Sequence, residues 1–286
     1  MVISGTELAK ELKQDVAKRV VEVKEKYGRA PHLVVILVGE DPASQSYVKG
    51  KGRDAEEVGF KSTTIRRPAD ITEEELLTMI ADLNADDEVD GVLVQLPLPK
   101  HIDEDKVIEA IAKEKDVDGF HPANVAALWQ KLPCTLPCTP KGIIKLLDKA
   151  GVEIEGKKAV VIGRSNIVGL PASKLLLDRN ATVTIAHSRT KDLAKVASEA
   201  DILVVAIGRP KFVTADMVGE GAAVIDVGVN RDPETGKLCG DVDYAAVCDK
   251  ASVITPVPGG VGPMTRACLM ENTLECFLRK MEKKNA

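Results

Sequence analysis

Aromatic side chains are scarce in this chain, at 3% of 286 residues with a single tryptophan. That leaves little material for a large partner surface, where Tyr, Trp and Phe concentrate. Histidine is nearly as rare, and His32, His101, His121 and His187 do not cluster. Of the cysteines Cys134, Cys138, Cys239, Cys248, Cys268 and Cys276, only the first two lie close together, and the second pair that a zinc site needs is missing. They read as free thiols serving as small hydrophobes, and no protein-held metal is expected. Positive charge is not in surplus. A net charge of −5 argues against a general nucleic-acid binder, since neutralising phosphates takes an excess of Lys and Arg, though local pockets for small anions stay open. Long apolar runs are missing as well. Leu33 to Val38 is far too short to span a bilayer, and Met1 to Asp15 mixes Lys, Glu and Ser without an apolar stretch of signal-peptide length. The expectation is a cytoplasmic chain with no membrane partner.

What is present suits a soluble globular protein, with 44% hydrophobic and 29% charged residues and a length that allows two ordinary domains or one large one. Ser4-Gly-Thr-Glu7 has capping-box spacing and opens a helix with Leu8, Leu12, Val16 and Val20 on one side. Leu33 to Val38 reads as a strand buried on both faces, followed by a helix from about Ser44 to Val58 that ends at Gly59. Strand Phe60 to Ile65, helix Thr72 to Leu83 and strand Gly91 to Gln95 continue an alternation that signals an α/β domain with a mostly parallel sheet. Pro133, Pro137 and Pro140 then break the pattern, so a domain boundary is placed here, with a new helix near Lys141. The second block alternates again: strands at Ala159 to Ile162, Thr182 to Ala186, Ile202 to Ala206, Ala223 to Val227 and Val253 to Thr255. Its helices are Leu170 to Leu177 and Ala194 to Ala200, and a last helix runs from about Met264 to Lys280.

Strand Ala159–Ile162 runs into Gly163-Arg-Ser-Asn-Ile-Val-Gly169-Leu-Pro171. A glycine-bearing turn between strand and helix is where a dinucleotide-binding fold places a pyrophosphate, against backbone N–H groups at the helix start. The full Gly-x-Gly-x-x-Gly pattern is not met, because Ser165 and Val168 stand at its second and third glycines, and a tight turn without ligand would use the same residues. The end of the next strand adds weight. There His187-Ser188-Arg189 offers a hydroxyl and a guanidinium where an NAD site normally offers a carboxylate, which suits the 2′-phosphate of NADP. Arg164 supplies a second positive charge.

Tyr47 and Lys51, four apart on the second helix, share a face. The ring offers apolar surroundings for acid–base work by the lysine and a surface for stacking a flat heterocycle. Taken alone, Lys51 reads as an ordinary surface lysine. Gln95, however, sits at the carboxyl end of a buried strand, where open α/β sheets bind ligands, and its carbonyl can accept a hydrogen bond from an ammonium. Asp116-Val-Asp118-Gly119-Phe120 reads as a turn or as a carboxylate suited to a ligand's N–H groups. Pro256 to Thr265, rich in Gly and Pro just before the last helix, lets backbone approach a ligand closely.

These segments together resemble one family. Pro42-Ala-Ser-Gln-Ser-Tyr47-Val-Lys-Gly-Lys51, Gly91-Val-Leu-Val-Gln-Leu-Pro-Leu-Pro99, Lys115-Asp-Val-Asp-Gly-Phe120, Gly163 to Gly169 and Pro256 to Thr265 occur in the order found in the bifunctional methylenetetrahydrofolate dehydrogenase/methenyltetrahydrofolate cyclohydrolase family, the FolD type. The likeness runs from near Ser4 to the final helix. It implies two α/β domains, a folate-binding catalytic one over 1–139 and 266–286 and a Rossmann-like NADP-binding one over 140–265, with the C-terminal helix returning to the first. It implies Lys51 as general acid/base with Gln95 bonded to it, Tyr47 stacking on the folate, Asp118 binding the pterin, and Gly262 and Pro263 lining the folate site. Gly163, Arg164, Ser165, Ile167, His187, Ser188, Arg189 and Val229 are assigned to NADP. The activity implied is oxidation of methylenetetrahydrofolate with NADP, then hydrolysis of the methenyl form to 10-formyltetrahydrofolate, by a homodimer.

Two departures stand out. Asn124-Val-Ala-Ala-Leu128 replaces the family's Asn-Val-Gly-Arg-Leu, and Gly50, Gly52 and Asp54 surround Lys51 where better helix formers are usual, so a looser helix is expected. Two rivals stay open: an NADP-dependent dehydrogenase of another small molecule, with no use for Tyr47, Lys51 and Gln95 together, and a nucleotide sensor without turnover.

Overall fold

The structure, a computed structural model, describes residues 1–284. The chain forms two compact units, one of Lys10–Cys138 with the segment from Arg266 onward, the other of Met1–Ala9 with Thr139–Thr265. No helix among the described residues is long and apolar enough to cross a membrane.

In chain order the first elements are α1 (Gly5–Tyr27), β1 (His32–Val38), α2 (Pro42–Glu57), β2 (Lys61–Arg67), α3 (Glu73–Ala85), β3 (Gly91–Val94), α4 (Glu104–Ala110) and α5 (Pro122–Trp129). Their parallel sheet has the order β2-β1-β3. The central β1 pairs on both sides, and every one of its residues is buried, which is why it reads as an unbroken apolar run. Its neighbour β2 continues past Ile65 to Arg67, because an edge strand tolerates charged ends facing water. Thr72 and Glu75 cap α3 reciprocally. A core of Val34, Ile36, Leu76, Ile80, Val92 and Val107 fills the space between sheet and helices. The chain leaves β1 for β2 on one side and returns as β3 on the other, so a switch point lies at the carboxyl ends of β1 and β3. Helix α5, not expected from the sequence, follows Pro122, which sits in its first turn.

The second unit adds α6 (Cys138–Lys149), β4 (Lys158–Ile162), α7 (Gly169–Asp178), β5 (Thr182–Ala186), α8 (Leu193–Ser198), β6 (Ile202–Val205), β7 (Ala223–Asp226), the short hairpin β8 (Asn230–Arg231) and β9 (Leu238–Cys239), α9 (Tyr244–Val247) and β10 (Val253–Ile254), and the last helix, α10 (Val261–Lys284), starts in it and belongs to the first unit from Arg266 onward. The main sheet is parallel throughout, in the order β10-β7-β6-β4-β5. Here the order reverses between β4 and β6. Helix α6 begins at Cys138, ahead of the expected Lys141, because Pro140 is compatible with a first helical turn. Val2 bridges Ile254, and Ile3 N donates to Ile254 O at 3.0 Å, so Met1–Ala9 extends the sheet beside β10 and belongs with the second unit.

Candidate active site

In the first unit, Asp41 caps α2 through Oδ1, which accepts from Ser44 N at 2.7 Å, and Pro42 fixes the first turn. This launches the helix that carries Tyr47, half-buried, and Lys51, 7% exposed. Lys51 Nζ donates to Gln95 Oε1 at 2.9 Å. Gln95 is held in turn: its backbone N donates to Ile36 O at 2.9 Å, and its side-chain Nε2 to Leu96 O at 2.7 Å. Using the amide nitrogen on Leu96 leaves the amide oxygen to face the lysine. The contact joins α2 to the switch point of the sheet.

Asp118 faces the same lysine. Burial pushes its carboxyl above the ordinary carboxylate range, the nearby Lys51 charge pulls it down, and Asp116 pushes it up. The two aspartates of Asp116-Val-Asp118 do different work. Asp116 is buried and accepts from Gly119 N, His121 N and Asn124 Nδ2 at 2.9, 2.9 and 2.8 Å, so it builds the loop that presents Asp118. Gly119 has φ +74°, and a Cβ there would run into the backbone of Thr135–Pro137.

The departures now have places. Asn124 and Leu128 form the buried side of α5, whereas Ala126 is exposed and Ala127 half-buried, so the exchanged residues avoid the Asn124–Asp116 contact. Helix α2 runs without interruption through both glycines. Gly50 is buried, and a Cβ on it would lie 2.6 Å from Arg266 Nη1. Arg266 Nε pairs with Asp54 Oδ2 at 2.8 Å, and Lys13 Nζ pairs with Asp54 Oδ1 at 2.8 Å and Glu57 at 2.5 Å. Glycine thus opens space for a guanidinium that ties the helix down through Asp54, and the expected loosening is replaced by an ion-pair clamp. The sequence reading missed Arg266 and Lys13, which lie too far from α2 in the chain for spacing to pair them.

In the second unit, Gly163 leaves β4 with φ +126°, where a side chain is strained and a Cβ would meet Ala206 O. Gly169, at the start of α7, is packed against Gly163 O with no room for a Cβ. Between them Arg164, Ser165, Asn166 and Ile167 are exposed, and Ser165 Oγ accepts from Val168 N at 3.2 Å, closing the turn ahead of the helix. The turn lies at the carboxyl end of β4, beside the β4–β6 reversal. At the end of β5, His187 Nδ1 accepts from Arg189 N at 3.1 Å, which leaves Nε2 as the protonated ring nitrogen. Ser188 and Arg189 project into solvent, and no carboxylate occurs from Ala186 to Lys191. Backbone-lined space at a helix start, two guanidiniums and a hydroxyl fit a nucleotide carrying an additional phosphate. Val229, 47% exposed, follows β7. Gly262 and Pro263 stand in the first turn of α10, half-buried, within this unit. Among the described residues no group of three His, Cys, Asp or Glu could hold a metal.

Comparison with known proteins matches this geometry to one family. Residues 3–118 match the model of the tetrahydrofolate dehydrogenase/cyclohydrolase catalytic domain, and residues 137–281 that of the NAD(P)-binding domain of the same family. The bifunctional protein FolD of Streptococcus pneumoniae serotype 4 is 59% identical over 283 residues, 99% of each chain. That of Listeria innocua is 56% identical over 278 residues, 97% of each. Among solved structures, the Campylobacter jejuni bifunctional enzyme FolD, a methylenetetrahydrofolate dehydrogenase/cyclohydrolase, superposes with a TM-score of 0.95 at 48% identity, covering 98% of this chain and 99% of its own. The Trypanosoma brucei enzyme, solved with NADP cofactor and inhibitor, gives 0.94 at 40% identity with 98% of each chain covered. With both domain models in sequence and relatives aligned along nearly the whole length, the chain belongs to the tetrahydrofolate dehydrogenase/cyclohydrolase family.

Proposed function

We propose that the chain oxidises methylenetetrahydrofolate to the methenyl form with NADP and then hydrolyses that form to 10-formyltetrahydrofolate, with Lys51 managing the protons of the second step. The observation that carries the assignment is the 2.9 Å bond from Lys51 Nζ to Gln95 Oε1, on a buried lysine that shares its surroundings with Asp118.

The oxidation is driven from within the substrate, because a nitrogen lone pair flows into the carbon as the hydride departs. When bound, NADP accepts that hydride. The chain supplies orientation: the Tyr47 ring stacks on the folate, Asp118 receives pterin N–H groups, and Gly262 and Pro263 contribute close backbone. Gly163, Arg164, Ser165, Ile167, His187, Ser188, Arg189 and Val229 hold the nucleotide, the charged and hydroxyl groups taking its phosphates and the two apolar side chains its rings. In the hydrolysis, water adds to the methenyl carbon and loses a proton, one ring C–N bond breaks, and the freed nitrogen gains a proton. Lys51 Nζ relays these protons while Gln95 fixes its direction. Positioned acid–base catalysis is typically worth about 10²–10⁴-fold. The folate-binding domain is assigned to 1–139 and 266–286, and the NADP-binding domain to 140–265.

Lys51→Gln separates this reading from a dehydrogenase of another small molecule. Hydrolysis of methenyltetrahydrofolate, followed without nucleotide by its absorbance, should fall by about 10²-fold or more, while much of the NADP-dependent oxidation survives. If hydrolysis persisted at the parent rate, the role given to Lys51 would be wrong.

The protein is further proposed to act in the cytoplasm as a homodimer joined through its NADP-binding domains. None of the six cysteines is joined in a disulfide, as suits a reducing compartment. Strand β5 is a sheet edge with Val183 and Ile185 half-buried, and Leu177 on α7 is 51% exposed. Light scattering at micromolar concentration tests the dimer, and a monomer mass would end that part of the proposal.

A further inference from the structure

Asp241 enters none of the assignments above, yet its carboxylate gathers four donors although the residue is fully buried. Oδ2 accepts from Ile207 N at 2.7 Å and Gly208 N at 3.0 Å, and Oδ1 accepts from Arg209 N at 2.7 Å and Asn230 Nδ2 at 2.8 Å. The first three belong to the loop after β6, and Asn230 to the segment after β7. Both leave the carboxyl ends of parallel strands in the NADP-binding sheet. The position of Asp241 is itself fixed, because Asp226 Oδ1 accepts from Asp241 N and Asp226 Oδ2 from Val242 N, each at 2.9 Å. Gly228 and Gly240 leave no room for a Cβ, since the Asp241 and Asp226 carboxylates occupy the space.

Two connections tie this knot to the nucleotide site. The residue before the loop, Ala206, carries the carbonyl against which Gly163 packs. Val229, assigned to NADP, lies between Gly228, which packs on Asp241, and Asn230, which donates to it. A buried carboxylate is an inefficient way to gain stability alone, because removing it from water is costly. Four converging donors do, however, fix the direction of every group they belong to.

We propose that Asp241 is a positioning residue for NADP: it pins Ile207–Arg209 and Asn230 at the β4–β6 reversal, so that the wall of the nucleotide site is formed before NADP arrives. This rests on the reading that the Gly163–Gly169 turn takes NADP. In Asp241→Asn the size is kept, but the amide NH2 confronts N–H donors that the carboxylate accepted, so at least one pair is lost.

The test uses the full-length protein. Calorimetric titration with NADP should show Kd raised about tenfold or more, the size expected for losing charge-assisted bonds. KM for NADP should rise with it, and amide exchange in the nucleotide-free protein should quicken at Ile207–Arg209. Hydrolysis of methenyltetrahydrofolate without nucleotide should stay at the parent rate. Parent Kd for NADP in Asp241→Asn, with or without faster exchange, overturns the inference. If Asp241→Asn does not fold, Asn230→Ala, which removes one donor and keeps the charge, decides in its place: a raised Kd with unchanged hydrolysis supports the inference, and an unchanged Kd overturns it. Failure of the parent protein to bind NADP would instead remove the reading of the glycine turn.

Discussion

Two glycines on α2, identical in chemistry and two positions apart, should respond in opposite directions to alanine. At Gly52 a Cβ meets nothing within 4 Å. Gly52→Ala therefore gains the ordinary helix preference of alanine, about 0.5–1 kcal/mol. Gly50→Ala gains the same preference, but its Cβ would lie 2.6 Å from Arg266 Nη1 and 3.3 Å from Cζ. The guanidinium has to move, and it is bound to a buried partner, Asp54, at 2.8 Å. Weakening that ion pair and forcing the overpacked contact together cost about 1.5–3 kcal/mol, which exceeds the helix gain and leaves a net loss of roughly 0.5–2 kcal/mol. The two variants should differ by that penalty, about 1.5–3 kcal/mol, or roughly 3–12 °C in melting temperature for a unit of this size. Urea unfolding followed by helix circular dichroism measures the difference, provided the transition that both variants move is fitted separately from the other unit. In an Arg266→Ala background the penalty should vanish and Gly50→Ala should stabilise as Gly52→Ala does. Equal stabilisation by both alanines in the parent protein would refute the packing of Arg266 on Gly50.

Asp118→Asn should trade function for stability. Burial raises the Asp118 pKa above that of an unfolded aspartate, so the folded chain holds this proton more tightly, and ionisation at higher pH opposes folding. The Asn variant should be more stable than the parent at pH 8, with the gap closing as pH falls through the raised pKa toward the ordinary carboxylate range. It should also bind folate more weakly, and denaturation midpoints against pH together with a folate titration check both parts. Arg189→Ala should raise KM for NADP by about 10–100-fold through loss of a charge-assisted contact while leaving KM for NAD nearly unchanged, and parallel changes for both nucleotides would remove Arg189 from the 2′-phosphate. Asn124→Ala should cost about 1–3 kcal/mol by leaving Asp116 Oδ2 short of a donor. It should also slow hydrolysis through the Asp118 loop, and an unchanged midpoint in urea would show that the contact contributes nothing.

Much of the fold was legible because local patterns agreed with the tertiary result. The β1 run, helix α3 and the strands of the second block fall within a few residues of their expected places, as periodicity acts over short spans. Helix α5 and the hairpin of β8 and β9 were not expected. The first lies in a segment punctuated by proline and the second has two-residue strands, too short for any period to show. The site divides along the same line. Tyr47 and Lys51 on one helix face, and Gln95 at a strand end, follow from sequence spacing, and the Lys51–Gln95 bond could be anticipated from donor and acceptor chemistry.

By itself the sequence determined the alternation of strands and helices, the glycine turn after β4, the basic residues after β5 and the motifs that mark the family. All of these are written in residues close together in the chain. Tertiary structure alone decided which carboxylates build and which receive. Asp116, Asp226 and Asp241 are taken up by backbone and asparagine donors, whereas Asp118 lies within the field of Lys51. It also decided that Gly50 is a seat for Arg266, and that the first nine residues join the second unit. The physical reason is common to all three. A buried polar group takes whatever partner the packed chain brings within hydrogen-bond reach, and those partners lie many residues away, where no spacing rule applies.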